Sequence, residues 1–169
     1  MNPVLRAIAW IAGWLRGVEE RHRYEGYRRR MPIDPGFGFN GEGIRVLGPG
    51  VLRAGPDSYV DRFATIHLSG GDVSIGHHTR IGSNVRIDTL SDVASDRVLR
   101  PEGFVAARLK TGDVVIGDGV WIGVNCFIGP GVTVGDDAVI GANSVVTKDV
   151  PAGAVVAGAP AQLLRVKDA

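Results

Sequence analysis

The chain has 169 residues, with 19 Lys and Arg against 18 Asp and Glu, and 25 glycines. That length fits one domain with an appendage, and the near-balance of charge gives no argument for nucleic acid as a partner. A single cysteine excludes an internal disulfide, so the cysteine count does not point to secretion.

Residues 1–31 read as an amphipathic helix. Val4, Leu5, Ile8, Ile11, Leu15 and Val18 recur at helical spacing, with a break expected near Gly13 or Gly17. The segment then turns basic through Arg21, Arg23, Arg28, Arg29 and Arg30. Its apolar part is too short and too interrupted by arginine to span a bilayer. Arg6 and Arg16 bracket that part and no small-residue cleavage site stands out, so no secretory signal is expected. Two roles compete. Either the helix packs on a neighbouring subunit or caps the domain, or it lies in a membrane interface. In the second case Trp10 and Trp14 are the anchors and the arginines meet anionic lipid. The expected location is cytoplasmic, with peripheral contact at the inner membrane face through residues 3–31.

Residues 32–50 are rich in Gly and Pro and read as an irregular entry. Residues 51–72 look like imperfect coils of no fixed phase. A clean six-residue phase runs through IGHHTR, IGSNVR and IDTLSD, from Ile75 to Asp92. It stops across residues 90–113, where Arg97, Arg100, Arg108 and Lys110 stand in an expected extruded loop. Long loops inside compact domains are usually functional.

From Val114 to Val146 the phase returns. An aliphatic residue followed by Gly recurs at Ile116, Ile122, Ile128, Val134 and Ile140. Four positions after each stands a small or aliphatic residue: Val120, Cys126, Val132, Ala138 and Ser144. Neither a helical nor a strand period fits, and a fixed longer repeat signals stacked coils. Each hexapeptide is read as a short strand and a turn, its aliphatic residue inward. The Gly is expected to permit a backbone angle that a Cβ would penalise. Three faces close one coil, and several coils must stack to bury the apolar ladders. Cys126 falls on an inward position and reads as core. The β-helix domain is expected over 51–150 and a tail over 151–169, where Pro151 and Pro160 deprive no ladder of a donor.

The motifs WIG, PGV, IGA, SVVTKDVP and AGAPA follow in this order between Trp121 and Ala161. With them the chain resembles the left-handed parallel β-helix hexapeptide acyltransferases, in the branch of galactoside, maltose and polysaccharide sugar acetyltransferases. The likeness runs from about Tyr59 to Arg165. It implies an all-β fold, a homotrimer, acetyl-CoA as cosubstrate and a loop folding over the neighbouring subunit's active site. By the same resemblance Ala142 matches an alanine whose backbone meets the pantetheine arm. Thr147 and Lys148 match a pair at the nucleotide end, and Arg165 matches a terminal arginine. Donors of these types also suit phosphate. Gln162 stands where relatives often have a second arginine, and Val124 where the galactoside branch has a serine on the cofactor's path. Trp121 matches a tryptophan lining the site.

Acyl transfer to a hydroxyl needs a base, and the resemblance places a histidine just before the loop. Here Asp92 stands in that place. Three readings follow. Asp92 is the base or orients one, which suits an amine acceptor better than an alcohol. His67 or His78 supplies the imidazole from a neighbouring coil. Or the chemistry is lost and the protein is a scaffold. His77 and His78 occupy outward middle positions of a rung. Asp61 and Asn84 are candidate hydrogen-bond partners of a sugar. A γ-class carbonic anhydrase shares the fold, but adjacent His77 and His78 with no later histidine have the wrong spacing for zinc, so no metal is expected. Serine acetyltransferase needs a helical domain larger than 31 residues. The expected function is acetyl-CoA-dependent acetylation of a sugar or nucleotide-linked sugar, on oxygen or nitrogen, in surface polysaccharide synthesis.

Overall fold

The computed structural model describes residues 2–93 and 108–167. One helix, α1 (Pro3–Arg30), precedes a stack of coils. It runs unbroken through Gly13 and Gly17. Asn2 caps it by accepting from the Val4 amide at 2.9 Å, and Pro3 opens the first turn, where no amide partner is needed.

The first coil holds β1 (Gly38–Asn40) and β2 (Arg45–Leu47). The second holds β3 (Leu52–Ala54), β4 (Tyr59–Asp61) and β5 (Thr65–His67). The third holds β6 (Val73–Ile75), β7 (Arg80–Ile81) and β8 (Arg86–Asp88). A hairpin of β9 (Leu90–Val93) and β10 (Arg108–Thr111) then leaves the stack. It forms the base of the expected extruded loop; Arg97, Arg100 and the loop's centre lie outside the described residues. The fourth coil holds β11 (Val114–Ile116), β12 (Trp121–Ile122) and β13 (Phe127–Ile128). The fifth holds β14 (Thr133–Val134), β15 (Val139–Ile140) and β16 (Val145–Val146). Finally β17 (Ala154–Gly158) and β18 (Ala161–Val166) close the end.

Strands stack in parallel on three faces. The first face is β3-β6-β11-β14, the second is β1-β4-β7-β12-β15-β17, and the third is β2-β5-β8-β13-β16. Successive inward residues lie in register, as in Val60↔Ile81 and Ile122↔Ile140. The core is therefore a set of aliphatic ladders: Ile66, Ile81, Ile87, Ile122 and Ile128 are all within 1% of full burial. Val120, Cys126, Val132, Ala138 and Ser144 are buried too, as the repeat requires. Burial pushes the Cys126 thiol up from its ordinary value, in keeping with a core residue.

The glycine of each repeat acts differently from the expectation. Gly123 does not adopt a positive φ; the left-handed turn falls two residues later, at Asn125, with φ of 57°. A Cβ on Gly123 would instead lie 2.6 Å from the Ala142 amide nitrogen in the next coil. The residue is small because coils approach closely there. The left-handed position is taken by Asn84, Asn125 and Asn143, whose amides form a chain at 2.8 and 3.2 Å.

Both ends differ from their sequence reading. Residues 32–50 form most of a coil, since β1 pairs with β4 and β2 with β5, and Ile33 bridges to Ala54. The described part of the tail, residues 151–167, does not trail away: β17 extends the second face and β18 folds back on it antiparallel.

The C-terminal half of α1 covers the first coil. Tyr24 and Tyr27 are buried, and Tyr24 stacks on Phe39 at 4.9 Å between centroids. Tyr24 donates its hydroxyl to the Gly41 carbonyl at 2.8 Å, while the Val46 amide donates to Tyr27 at 3.2 Å. Arg28 donates to the Phe37 carbonyl and sits 5.1 Å from the Phe39 ring centroid. These bonds satisfy backbone groups of the first coil that have no coil beyond them.

Candidate active site

The third face carries a break in the repeat. Most rungs of the stack carry an aliphatic-Gly pair, but two neighbouring rungs of this face carry Ile66-His67 and Ile87-Asp88. Because β5 and β8 are neighbours in register, His67 lies directly opposite Asp88. Nδ1 of His67 is 3.2 Å from Oδ1 of Asp88. Asp88 is buried, 4% exposed. A buried carboxylate is costly unless paired, and Arg86 supplies the pair. Its Nε donates to both Asp88 oxygens at 2.9 Å, and Nη2 stands 2.8 Å from Oδ2. That contact raises the Arg86 guanidinium above its ordinary value.

Nδ1 of His67 also lies 3.4 Å from Nη2 of Arg86. The two neighbours ask for opposite tautomers. The Asp88 oxygen is the shorter contact and accepts from Nδ1–H, whereas Nη2 donates to a bare Nδ1. In the tautomer that pairs Nδ1–H with Asp88, Nε2 is the acceptor, as a base requires. The His67 backbone is held as well: its carbonyl accepts from Thr89 Oγ1 at 2.9 Å, and Thr89 in turn accepts from the Gly70 amide.

His67, Ser69, Arg86, Asp88, Ser91 and Asp92 line one cleft of about 340 Å³. The structure thus brings His67 and Asp92 together, with Asp92 exposed on β9. Ser91 and Asp92 also line a neighbouring, more apolar cleft with Lys110, Phe127, Pro130 and Thr147. The two clefts are therefore contiguous along the edge where the third face turns toward the first.

The other edge of the third face carries a separate apolar cleft of about 360 Å³. Gly82, Gly123 and Gly141 form its floor, with Trp121, Val124 and Ala142 beside them. The lining is mainly apolar, which suits a long, thin ligand arm. Trp121 is 60% exposed and projects from the second face. Lys148 follows Thr147 at the end of β16 and is exposed, and Arg165 is exposed on β18. The expected cofactor residues are thus divided: Val124 and Ala142 lie on one edge of the third face, Thr147 and Lys148 on the other.

Three expected acceptor residues are not brought to the His67 cleft. Asp61 accepts from Ser83 at 2.9 Å and from the Arg62 amide at 2.8 Å. Asn84 belongs to the asparagine chain of the turns. His78 is exposed, 3.8 Å from Asp57, and lines a cleft with Arg80, Trp121 and Lys167. Asp88 and Arg86 did not figure among the sequence candidates. The signal for Asp88 was present: an acid replaces glycine on a rung that directly follows, on the same face, a rung where histidine replaces it.

Residues 113–148 match the bacterial transferase hexapeptide family (six repeats). A hexapeptide-repeat-containing acetyltransferase from Vibrio cholerae is 32% identical, with 99% of this chain and 95% of that one covered and a TM-score of 0.64. Its structure complexed with acetyl-CoA aligns at 28% identity over 99% and 91%, with a TM-score of 0.72. Galactoside acetyltransferase in complex with coenzyme A is 28% identical over 86% and 70%, with a TM-score of 0.66. The fold of this chain is accordingly the all-β, left-handed parallel β-helix of such proteins. No curated protein sequence matches the chain.

Proposed function

Because this chain belongs to the hexapeptide-repeat acetyltransferases, we propose that it transfers the acetyl group of acetyl-CoA to a sugar or nucleotide-linked sugar, with His67 as general base. Acetyl-CoA is the cosubstrate and supplies an activated thioester. The likeness to galactoside acetyltransferase supports a sugar acceptor. A role in surface polysaccharide synthesis is part of the proposal.

The observation that carries this reading is the His67–Asp88 pair in register on the third face. Asp88 holds Nδ1–H, so Nε2 can take the proton of an attacking hydroxyl or amine. The bond from the acceptor atom to the acetyl carbon forms and the carbon–sulfur bond breaks. His67 then returns the proton to the departing sulfur. Asp88 keeps its negative charge throughout, next to a ring that becomes positive, while Arg86 fixes the carboxylate. The Gly82-Gly123-Gly141 cleft receives the pantetheine arm, with Val124 and Ala142 beside it. Thr147, Lys148 and Arg165 hold the phosphates. Asp92, exposed in the same cleft as His67, orients the acceptor.

The division of the cofactor residues over two edges of the third face has a simple solution. If copies pack side by side, one edge of each prism closes a shared groove. We therefore include a homotrimer in the proposal; three-fold packing lets each protomer give one edge and receive another. The exposed Trp121 and Val124 are then covered.

The test is release of coenzyme A in the presence of amino sugars, nucleotide sugars and simple glycosides. Turnover with at least one, lost in His67→Ala, supports the reading. Turnover of none, with acetyl-CoA still bound, would favour a non-catalytic scaffold.

A further inference from the structure

Helix α1 has two faces, and the coils use only one. At about 100° per residue, Glu20, Tyr24 and Tyr27 share the side that holds the helix to the first coil. The apolar residues Val4, Ile8, Ile11, Leu15 and Val18 centre on the opposite side. All are open to solvent, from 39% exposed at Val18 to 61% at Val4. Leu5 on one flank and Trp10 and Trp14 on the other are exposed as well. A Cβ on Gly13 would meet nothing within 4 Å. The fold thus leaves a large apolar surface unpartnered, which a water-facing helix does not carry without a partner.

Width and charge together point to what covers it. The apolar arc spans roughly 220° of the helix, wider than the seam of a coiled coil. Pairing of copies along Ile8, Ile11 and Leu15 would leave Leu5 and Trp10 in water. Arg6 and Arg16 stand at the two borders of the remaining polar strip, and residues 3–18 contain no acid. Arg21, Arg29 and Arg30 follow on the exposed helix. Tryptophans at the border and arginine stems that reach sideways are what an interface between acyl chains and headgroups accommodates. Among the described residues no helix is long and apolar enough to cross a membrane. The geometry points to an in-plane anchor: we infer that residues 3–18 of α1 lie in the surface of an anionic lipid bilayer, while Tyr24 and Tyr27 hold the β-helix against that surface.

The test uses the full chain. Vesicles of phosphatidylcholine with about one third phosphatidylglycerol should sediment the protein. Pure phosphatidylcholine should bind about tenfold less, since each arginine near an anionic surface adds to the attraction. Tryptophan emission should shift to the blue on binding, and high salt should weaken it. The variant I8D/I11D changes only exposed positions and should lose at least tenfold in vesicle binding while keeping its coenzyme A release and its oligomeric state. Absence of vesicle binding by the native chain overturns the inference. So does unchanged binding by I8D/I11D. If that variant instead dissociates the assembly, the apolar face joins copies of the chain and the lipid assignment is wrong.

Discussion

His67 and Asp88 face each other across two neighbouring strands, 3.2 Å apart, each standing where the repeat elsewhere carries glycine. Asp88 is a positioning residue in this arrangement, since it acts through the ring. Asp88→Asn keeps the shape but removes the charge that opposes the imidazolium. Turnover should fall about 10–100-fold with the acceptor KM and acetyl-CoA affinity within about twofold, a loss smaller than that of the base itself. Arg86→Lys should retain more activity than Arg86→Ala, because a cation still offsets the buried carboxylate. Equal kcat in Asp88→Asn and the native enzyme would remove Asp88 from the mechanism.

The cofactor residues give a separate prediction. Lys148→Ala and Arg165→Ala should each weaken acetyl-CoA binding by about 1–3 kcal/mol, the scale of a charge-assisted hydrogen bond. Titration calorimetry reads this directly. Dephospho-coenzyme A should discriminate less between native and variant protein if either residue meets the 3′-phosphate. Unchanged affinity in both variants would place the phosphates elsewhere.

A groove shared between prisms requires neighbours. Light scattering at working concentration should give the mass of three chains, about three times 17.9 kDa. Trp121→Ala at the edge should loosen that assembly or weaken acetyl-CoA binding. A stable monomer that still binds acetyl-CoA at full affinity would contradict the shared groove.

The cap formed by α1 should be acid-sensitive. Burial pushes the Glu20 carboxyl up, but the nearby Tyr24 hydroxyl and the hydrogen bonds from the Gly43 amide and Arg23 outweigh it and leave the group below its ordinary value. A depressed carboxylate contributes stability that is present above its unfolded pKa and is lost as pH falls through the folded value. Hydrogen exchange at the Gly43 and Ile44 amides should therefore quicken as pH drops below the ordinary glutamate range, after correction for the intrinsic rate. In Glu20→Gln exchange should be faster at neutral pH and show no such step. A cap that loosens identically in both proteins would rule Glu20 out.

How much of this was legible follows from particular spacings. Ile116 to Ile140 keeps a strict six-residue step, and every inward position named there is buried. Nine residues separate Ile66 from Ile75, because the turn after β5 is longer, and the phase of residues 51–72 was hidden by that insertion. The first coil was hidden for a different reason: its core is aromatic, Phe37 with Phe39, and the pairing partner of that core is α1 rather than another rung. The six-residue period shows that glycine is needed, but it cannot distinguish a bend from the close approach of coils seen at Gly123. His67 and Asp92 were visible as unusual residues near the loop. Their partner Asp88 was not singled out, because the link to His67 runs between coils and needs the register.

The measurement that tests the central claim most directly is steady-state coenzyme A release by His67→Ala on the true acceptor. The account predicts a fall of about 10²–10⁴ in kcat, the usual contribution of a general base, with acetyl-CoA affinity within about twofold of native. Full activity in His67→Ala would contradict it and pass the base to Asp92 or to the substrate itself.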